Sequence, residues 1–186
     1  HLLTIVDGAR GSSVEKNSTT RRFINIEPMF NMLLQRLVAH GIRRLLAKHG
    51  NDLKTGQDVH KLMIQRLEFA TVDWKNASDS NLLEWVRWLF PPTVYAFIER
   101  YRSYYTIINR SPSGDDPEFD EYYVNCKMSA MGNGFTFEVM TLCLLAYARV
   151  LCDQSRVYGD DVIISASHAP LYIRTLESVS WILNDQ

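Results

Sequence analysis

The sequence is poor in the residues that staple or metallate small folds. Only three of its 186 residues are cysteine, Cys126, Cys143 and Cys152, an odd number with no Cys-x-x-Cys spacing. That excludes a disulfide framework, and buried free thiols in a reducing compartment are expected. The five histidines, at 1, 40, 49, 60 and 168, lack metal-ligand spacing, which argues against zinc. No long hydrophobic run is present either. The most apolar stretch, Val139 to Cys152, is short and carries Arg149, so no membrane span is expected, and no leader pattern is visible. An excess of one charge is also missing, since 20 Lys and Arg face 21 Asp and Glu.

What is present is enough for a core: 46% hydrophobic residues and four tryptophans fit one ordinary domain or a piece of a larger protein. The charges, though balanced, are unevenly placed. Residues 1–50 hold eight Lys and Arg against three Asp and Glu, whereas residues 101–186 hold six against eleven. A basic front and an acidic back suit an anionic polymer or nucleotide held beside a metal centre.

Leu2 to Val6 reads as a short strand. Lys16-Asn17 opens an exposed basic loop that runs through Arg21-Arg22 into an alternating strand, Phe23 to Ile26. Lys16, Arg21 and Arg22 could hold a triphosphate, since arginine offers a planar fork to phosphate oxygens and lysine a point charge; a solvated loop is the plain alternative. Pro28 suits the first turn of a helix whose apolar residues, from Met29 to Leu46, recur at helical spacing. Residues 51–66 read as a loop and a second helix with Val59, Leu62 and Met63 inward.

Leu67 to Val72 reads as a strand delivering Asp73 at its end, a rigid mount for a ligand. Asp79, six residues on, precedes a helix that stops at Pro91-Pro92, so an N-cap role is its plain reading. A helix through about Ser103 follows, then paired strands, Tyr104 to Asn109 and Glu121 to Lys127. Ser129 to Thr136 is a Gly-rich entrance to a helix, Phe137 to Cys152, apolar on nearly every side and therefore buried. Its two glycines allow a close approach to a ligand. Pro170 opens a final helix with Leu171, Ile173, Leu176, Val179 and Ile182 inward.

Tyr158-Gly159-Asp160-Asp161 lies between Arg156-Val157 and Val162-Ile163-Ile164, a hairpin signature with two acids at the bend. Such a pair can grip a hard divalent cation, and a surface turn is the bland alternative. The second Gly-Asp-Asp, Gly114 to Asp116, is bracketed by Pro112 and Pro117 without apolar flanks, and reads as a solvated turn.

Taken in order, Val14-Glu15-Lys16-Asn17, Ile26-Glu27-Pro28, Ala70-Thr71-Val72-Asp73, Ala77-Ser78-Asp79-Ser80, Met131-Gly132-Asn133-Gly134-Phe135-Thr136-Phe137-Glu138 and Tyr158-Gly159-Asp160-Asp161 resemble the runs of a viral RNA-dependent RNA polymerase. The likeness is to the replicase catalytic subunit of the leviviruses, the single-stranded RNA phages. Each run is modest in specificity, and their joint order across residues 14–165 is not. The resemblance implies an α+β fold: a polymerase palm, an antiparallel sheet backed by helices, with part of the fingers. Residues 1–66 would be a partial fingers segment and 67–186 the palm core, truncated after the hairpin and following helix, with the thumb absent.

On that likeness Asp73, Asp160 and Asp161 are the catalytic metal ligands for two Mg²⁺ ions, with Mn²⁺ as a substitute. Asp79, Asn133 and Thr136 would sense the ribose 2′-hydroxyl, and Lys16, Arg21 and Arg22 would clamp the triphosphate. The implied reaction is attack of an RNA 3′-hydroxyl on the α-phosphorus of a ribonucleoside triphosphate, directed by an RNA template. Its partners would be template and nascent RNA, ribonucleoside triphosphates and host translation proteins, in the cytoplasm of an infected bacterium, with no membrane. Trp74-Lys75-Asn76 is bulkier than that family's turn, and Ala130 replaces a serine common there. Competing readings are a reverse transcriptase, a metal-dependent sugar-nucleotide transferase and a non-catalytic RNA-binding palm fragment.

Overall fold

The computed structural model describes residues 8–114 and 116–184. The strand expected at Leu2–Val6 and residue Asp115 lie outside that range. In chain order the strands are β1 (Gly8–Glu15), β2 (Arg21–Ile26), β3 (Phe69–Val72), β4 (Trp74–Lys75), β5 (Tyr105–Asn109), β6 (Asp120–Val124), β7 (Arg156–Tyr158), β8 (Asp161–Ser165) and β9 (Ile182–Leu183). The helices are α1 (Met29–Lys48), α2 (Gly56–Met63), α3 (Leu83–Leu89), α4 (Pro92–Glu99), α5 (Thr136–Leu151) and α6 (Ala169–Glu177), with short 3-10 turns at Ala77–Ser80 and Pro117–Phe119. The fold is mixed α+β, and its sheets are largely antiparallel.

The chain forms two interleaved compact units, one from residues 1–38 and 82–136, the other from 39–81 and 137–186. The first unit contains a four-stranded sheet in the order β2-β1-β5-β6, antiparallel except where β1 runs parallel to β5. Its core includes Ala9, Val86, Ile98, Met128 and Phe135. The second unit contains a three-stranded antiparallel sheet, β3-β8-β7, and the short pair β4-β9. Helix α5 supplies much of its core through Val139, Cys143, Leu144 and Ala148, as an all-round apolar helix should. Among the described residues no helix is long and apolar enough to cross a membrane.

Several sequence expectations need correction. Helix α6 ends at Glu177, because Ser180 turns the chain with φ +72° and sends Ile182 into β9. Its buried residues are Ala169, Tyr172 and Leu176, while Leu171 is exposed, so the buried face runs through an aromatic that an aliphatic count overlooks. Helix α2 buries no residue, and Leu62 faces solvent. On α1, Met29, Leu33 and Leu37 are exposed, whereas polar Asn31 and Gln35 are buried on the hydrogen-bonding face. Of the three thiols Cys143 is buried, Cys152 is half-buried and Cys126 is exposed.

Trp74, whose bulk departs from the pattern, has a packing reason. Its ring is 2% exposed and meets Tyr172 edge-on at 6.0 Å and Trp181 at 5.7 Å. Edge-to-face pairs of this kind contribute about 0.5–1.5 kcal/mol beyond their buried area. The left-handed Asn76, φ 52°, then turns the chain into the 3-10 segment that carries Asp79.

Candidate active site

In the second unit, Tyr158 pairs with Asp161, which leaves Gly159 and Asp160 as a two-residue loop. Gly159 has φ +67° and Asp160 is not left-handed, the pattern of a II′ hairpin turn. The turn is held from α5: the Gly159 N–H donates to Thr141 Oγ1 at 3.0 Å, and that hydroxyl donates to the Phe137 carbonyl at 2.7 Å. Tyr158 packs edge-on against Phe137 at 4.9 Å.

A side chain at residue 159 has no room. Its Cβ would lie 2.5 Å from the Phe137 ring in a backbone conformation that L-residues avoid. Gly159→Ala is therefore expected to destabilise the fold by about 1–3 kcal/mol, read as a lower urea midpoint with an unchanged m-value.

Asp73 reaches this hairpin through register. Val72, the last residue of β3, pairs with Val162 of β8, so Asp73 leaves the end of β3 beside the start of β8, which opens at Asp161. Burial first, then the charge of Asp160, then that of Asp73, push the Asp161 carboxyl above the usual carboxylate range. The Asp161 carboxyl thus feels both of the other acids. Among the described residues no three His, Cys, Asp or Glu side chains already converge as a finished metal cage. An oxygen-only donor set in which neighbouring charges raise one carboxyl nevertheless has the chemistry a hard cation satisfies.

The raised value has a thermodynamic sign. The folded chain takes up the Asp161 proton at higher pH than the unfolded chain, so this group's stability contribution is full below its unfolded value and is lost as pH rises through the raised one. Without divalent cations, Asp161→Asn is expected to melt higher than the parent at pH 7. The gap should close as both are acidified through the raised range, and a variant that melts lower at pH 7 would contradict this.

Two side chains that the sequence did not single out complete this unit's site. Asn184 Nδ2 donates to Asp73 Oδ2 at 2.6 Å, and its N–H donates to the Asp73 carbonyl at 3.0 Å. The Asn51 side chain accepts from the Val157 N–H at 3.0 Å and donates to the Val157 carbonyl at 2.8 Å. A lone asparagine carries no sequence signal for such a role. Asp79 is exposed on its 3-10 turn, and Lys75 is exposed on β4.

In the first unit the Gly-rich loop closes on its own chain. Gly132 has φ +103°, and a Cβ there would lie 2.2 Å from the Asn25 carbonyl oxygen, while Asn25 N–H donates to the Met131 carbonyl at 2.7 Å. Asn133 is buried: Nδ2 donates to Glu27 at 3.2 Å and Oδ1 accepts from the Phe135 N–H. Thr136 donates to the Ala130 carbonyl at 2.7 Å. The buried Glu27 also accepts from Gln35 at 2.9 Å and Ser103 at 2.6 Å, and Gln35 accepts from the Gly134 N–H. Charge-assisted bonds to several donors are what a buried carboxylate requires.

Lys16, Arg21 and Arg22 are exposed on the β1–β2 hairpin, whose turn is tied by Asn17 Oδ1 accepting from the Thr19 and Thr20 N–H groups. Arg21 and Arg22 are successive strand residues and point to opposite faces. Arg21 lies 3.9 Å from Glu15. Asp116, of the second triplet, accepts from the Glu118 N–H and caps a 3-10 turn, consistent with a solvated loop.

The family model described as "RNA replicase, beta-chain" matches residues 1–186. The chain is 37% identical over 182 residues to the RNA-directed RNA polymerase subunit beta of Enterobacteria phage SP, covering 92% of the chain and 30% of that protein. It is 34% identical to the RNA-directed RNA polymerase beta chain of Enterobacteria phage fr, covering 97% and 32%, and 32% identical to the subunit beta of Escherichia virus Qbeta, covering 92% and 29%. The chain therefore spans about a third of the length of these relatives. A solved structure titled "RdRp complex" shares the fold, with TM-score 0.52 and 9% identity, over 96% of this chain and 20% of that one.

Proposed function

Because the chain belongs to the RNA replicase beta-chain family, we propose that it is part of the catalytic core of an RNA-templated RNA polymerase that replicates a viral RNA genome. The observation that carries this reading is that β3, which leads into Asp73, pairs with β8, the strand of the Asp160-Asp161 hairpin, near enough for both Asp160 and Asp73 to act on the Asp161 carboxyl. We assign the palm to the acid-bearing sheet within residues 67–186, and part of the fingers to the basic hairpin within 1–66.

Asp73, Asp160 and Asp161 are the residues that would hold Mg²⁺, or Mn²⁺ in its place. When bound, two such ions favour the ionised attacking hydroxyl and neutralise the leaving pyrophosphate. The protein's own part is positional. The II′ turn and Thr141 fix the backbone under Asp160, and the β3–β8 pairing sets the strand end that Asp73 follows beside the start of β8. Lys16 and Arg22 would bind the triphosphate oxygens, with Arg21 on the opposite face in a lesser role. Asp79 would meet the ribose 2′-hydroxyl, the group that distinguishes RNA from DNA. Asn133 and Thr136, committed to Glu27, Phe135 and Ala130, would serve ribose selection by fixing the loop.

The proposed partners are template and nascent RNA, ribonucleoside triphosphates and host translation proteins, and the proposed location is the cytoplasm of an infected bacterium. The test is nucleotide incorporation by the full-length subunit, with its partners, on an RNA template with Mg²⁺. Ribonucleotides should be incorporated at least roughly a hundredfold more efficiently than deoxyribonucleotides. Template-independent or deoxyribonucleotide-preferring synthesis would overturn the proposal.

A further inference from the structure

Asp73 does not end its strand unsupported. After α6 the chain makes a left-handed turn at Ser180, φ +72°, with the Ser180 N–H donating to Glu177 and that of Trp181 to Leu176. A non-glycine residue in that conformation persists only where its surroundings over-determine it. Here the anchor is Trp181, 2% exposed and edge-on to Trp74. The turn feeds the two-residue β9, whose Leu183 and Ile182 pair with Trp74 and Lys75 of β4. The next residue is Asn184, which bonds both the backbone carbonyl and the carboxylate of Asp73.

We infer that Asn184 is a positioning residue for Asp73: its amide fixes the carboxylate's orientation for a divalent cation, and the strained Ser180 turn and β9 serve to deliver it. This rests on the proposed role of Asp73 as a metal ligand. The amide suits the task chemically. It donates to one lone pair of Oδ2, while an ionised carboxylate offers about four acceptor sites, so capacity for a cation remains. A carboxylate at residue 184 would instead repel Asp73, and an aliphatic group would leave its rotamer free. Outer-shell partners of this kind set metal affinity as well as ligand orientation.

The experiment uses the full-length subunit with its partners. Mn²⁺ binding is followed by the electron paramagnetic resonance signal of the free ion, beside the Mg²⁺ dependence of single-nucleotide extension. Asn184→Ala should weaken Mn²⁺ binding about tenfold and raise half-saturating Mg²⁺ by a similar factor, with RNA affinity unchanged. Asn184→Gln, which keeps the amide and the backbone bond but misplaces the donor, should show the same shift and serves if the alanine variant does not fold. A lower melting temperature with unchanged Mn²⁺ affinity would mean that Asn184 only holds β9 in place, and would overturn the inference. Asp73→Asn separates the premise: if it alone loses Mn²⁺ binding, only the inference fails, and if it binds Mn²⁺ as the parent does, the assignment of Asp73 fails with it.

Discussion

Asp73→Asn and Asp160→Asn are each expected to reduce RNA-templated incorporation by the full-length subunit by at least about a thousandfold. Neither should weaken RNA binding. Each substitution keeps shape and removes one negative charge from a set in which burial first, then Asp160 and Asp73, hold the Asp161 carboxyl above its usual range. The lost interaction is with developing charge in the transition state, and affinity for a polyanion is carried by cations elsewhere. The control is internal. Asp115→Asn with Asp116→Asn, in the other Gly-Asp-Asp, should leave incorporation and binding unchanged, as Asp116 caps a surface turn. Equal losses from the two sets, measured by single-turnover extension and filter binding, would overturn the choice of triplet.

The second large effect is on stability. Asn51→Leu is expected to lower the free energy of unfolding by about 3 kcal/mol. Strand β7 is the edge of its sheet, and its Val157 N–H and carbonyl are both bonded by the Asn51 amide, which is 5% exposed. The amide acts as one residue of an extra strand, satisfying the edge without offering it to another chain. Leucine fills the volume and leaves two buried backbone groups without partners. Asn51→Asp should also destabilise the fold, because a carboxylate accepts from Val157 N–H but only repels its carbonyl. Urea unfolding measures both, and a loss below about 1 kcal/mol for Asn51→Leu would show that water replaces the amide.

The sequence made the hairpin legible because turn chemistry is local: Gly159 and two acids between β-prone runs leave few alternatives. It also placed Asp73 at a strand end and α5 in the core, since periodicity and apolar continuity carry that information. What it did not carry were partnerships across distance. Asn184 with Asp73, Asn51 with Val157 and Glu27 with Gln35, Ser103 and Asn133 are hydrogen-bond pairings between residues that look interchangeable with any other polar residue. The buried face of α6 was missed for a related reason, because Tyr172 is buried by its ring against Trp74. The Gly-rich loop shows a third limit. Glycine announces a close approach, yet at Gly132 the approaching atom is the chain's own Asn25 carbonyl.

The aromatic cluster behind Asp73 has a spectroscopic consequence. Trp74 is covalently adjacent to Asp73, Trp181 lies three residues before Asn184, and their rings stand 5.7 Å apart at 72°. Two indoles at that range couple their electronic transitions, so near- and far-ultraviolet circular dichroism report their mutual angle. Because one indole rides on the acid's strand and the other on the segment that orients it, that signal is an intrinsic optical gauge of whether the Asp73 end of the site is assembled. It requires no label, and it can be followed in the absence of substrate and turnover.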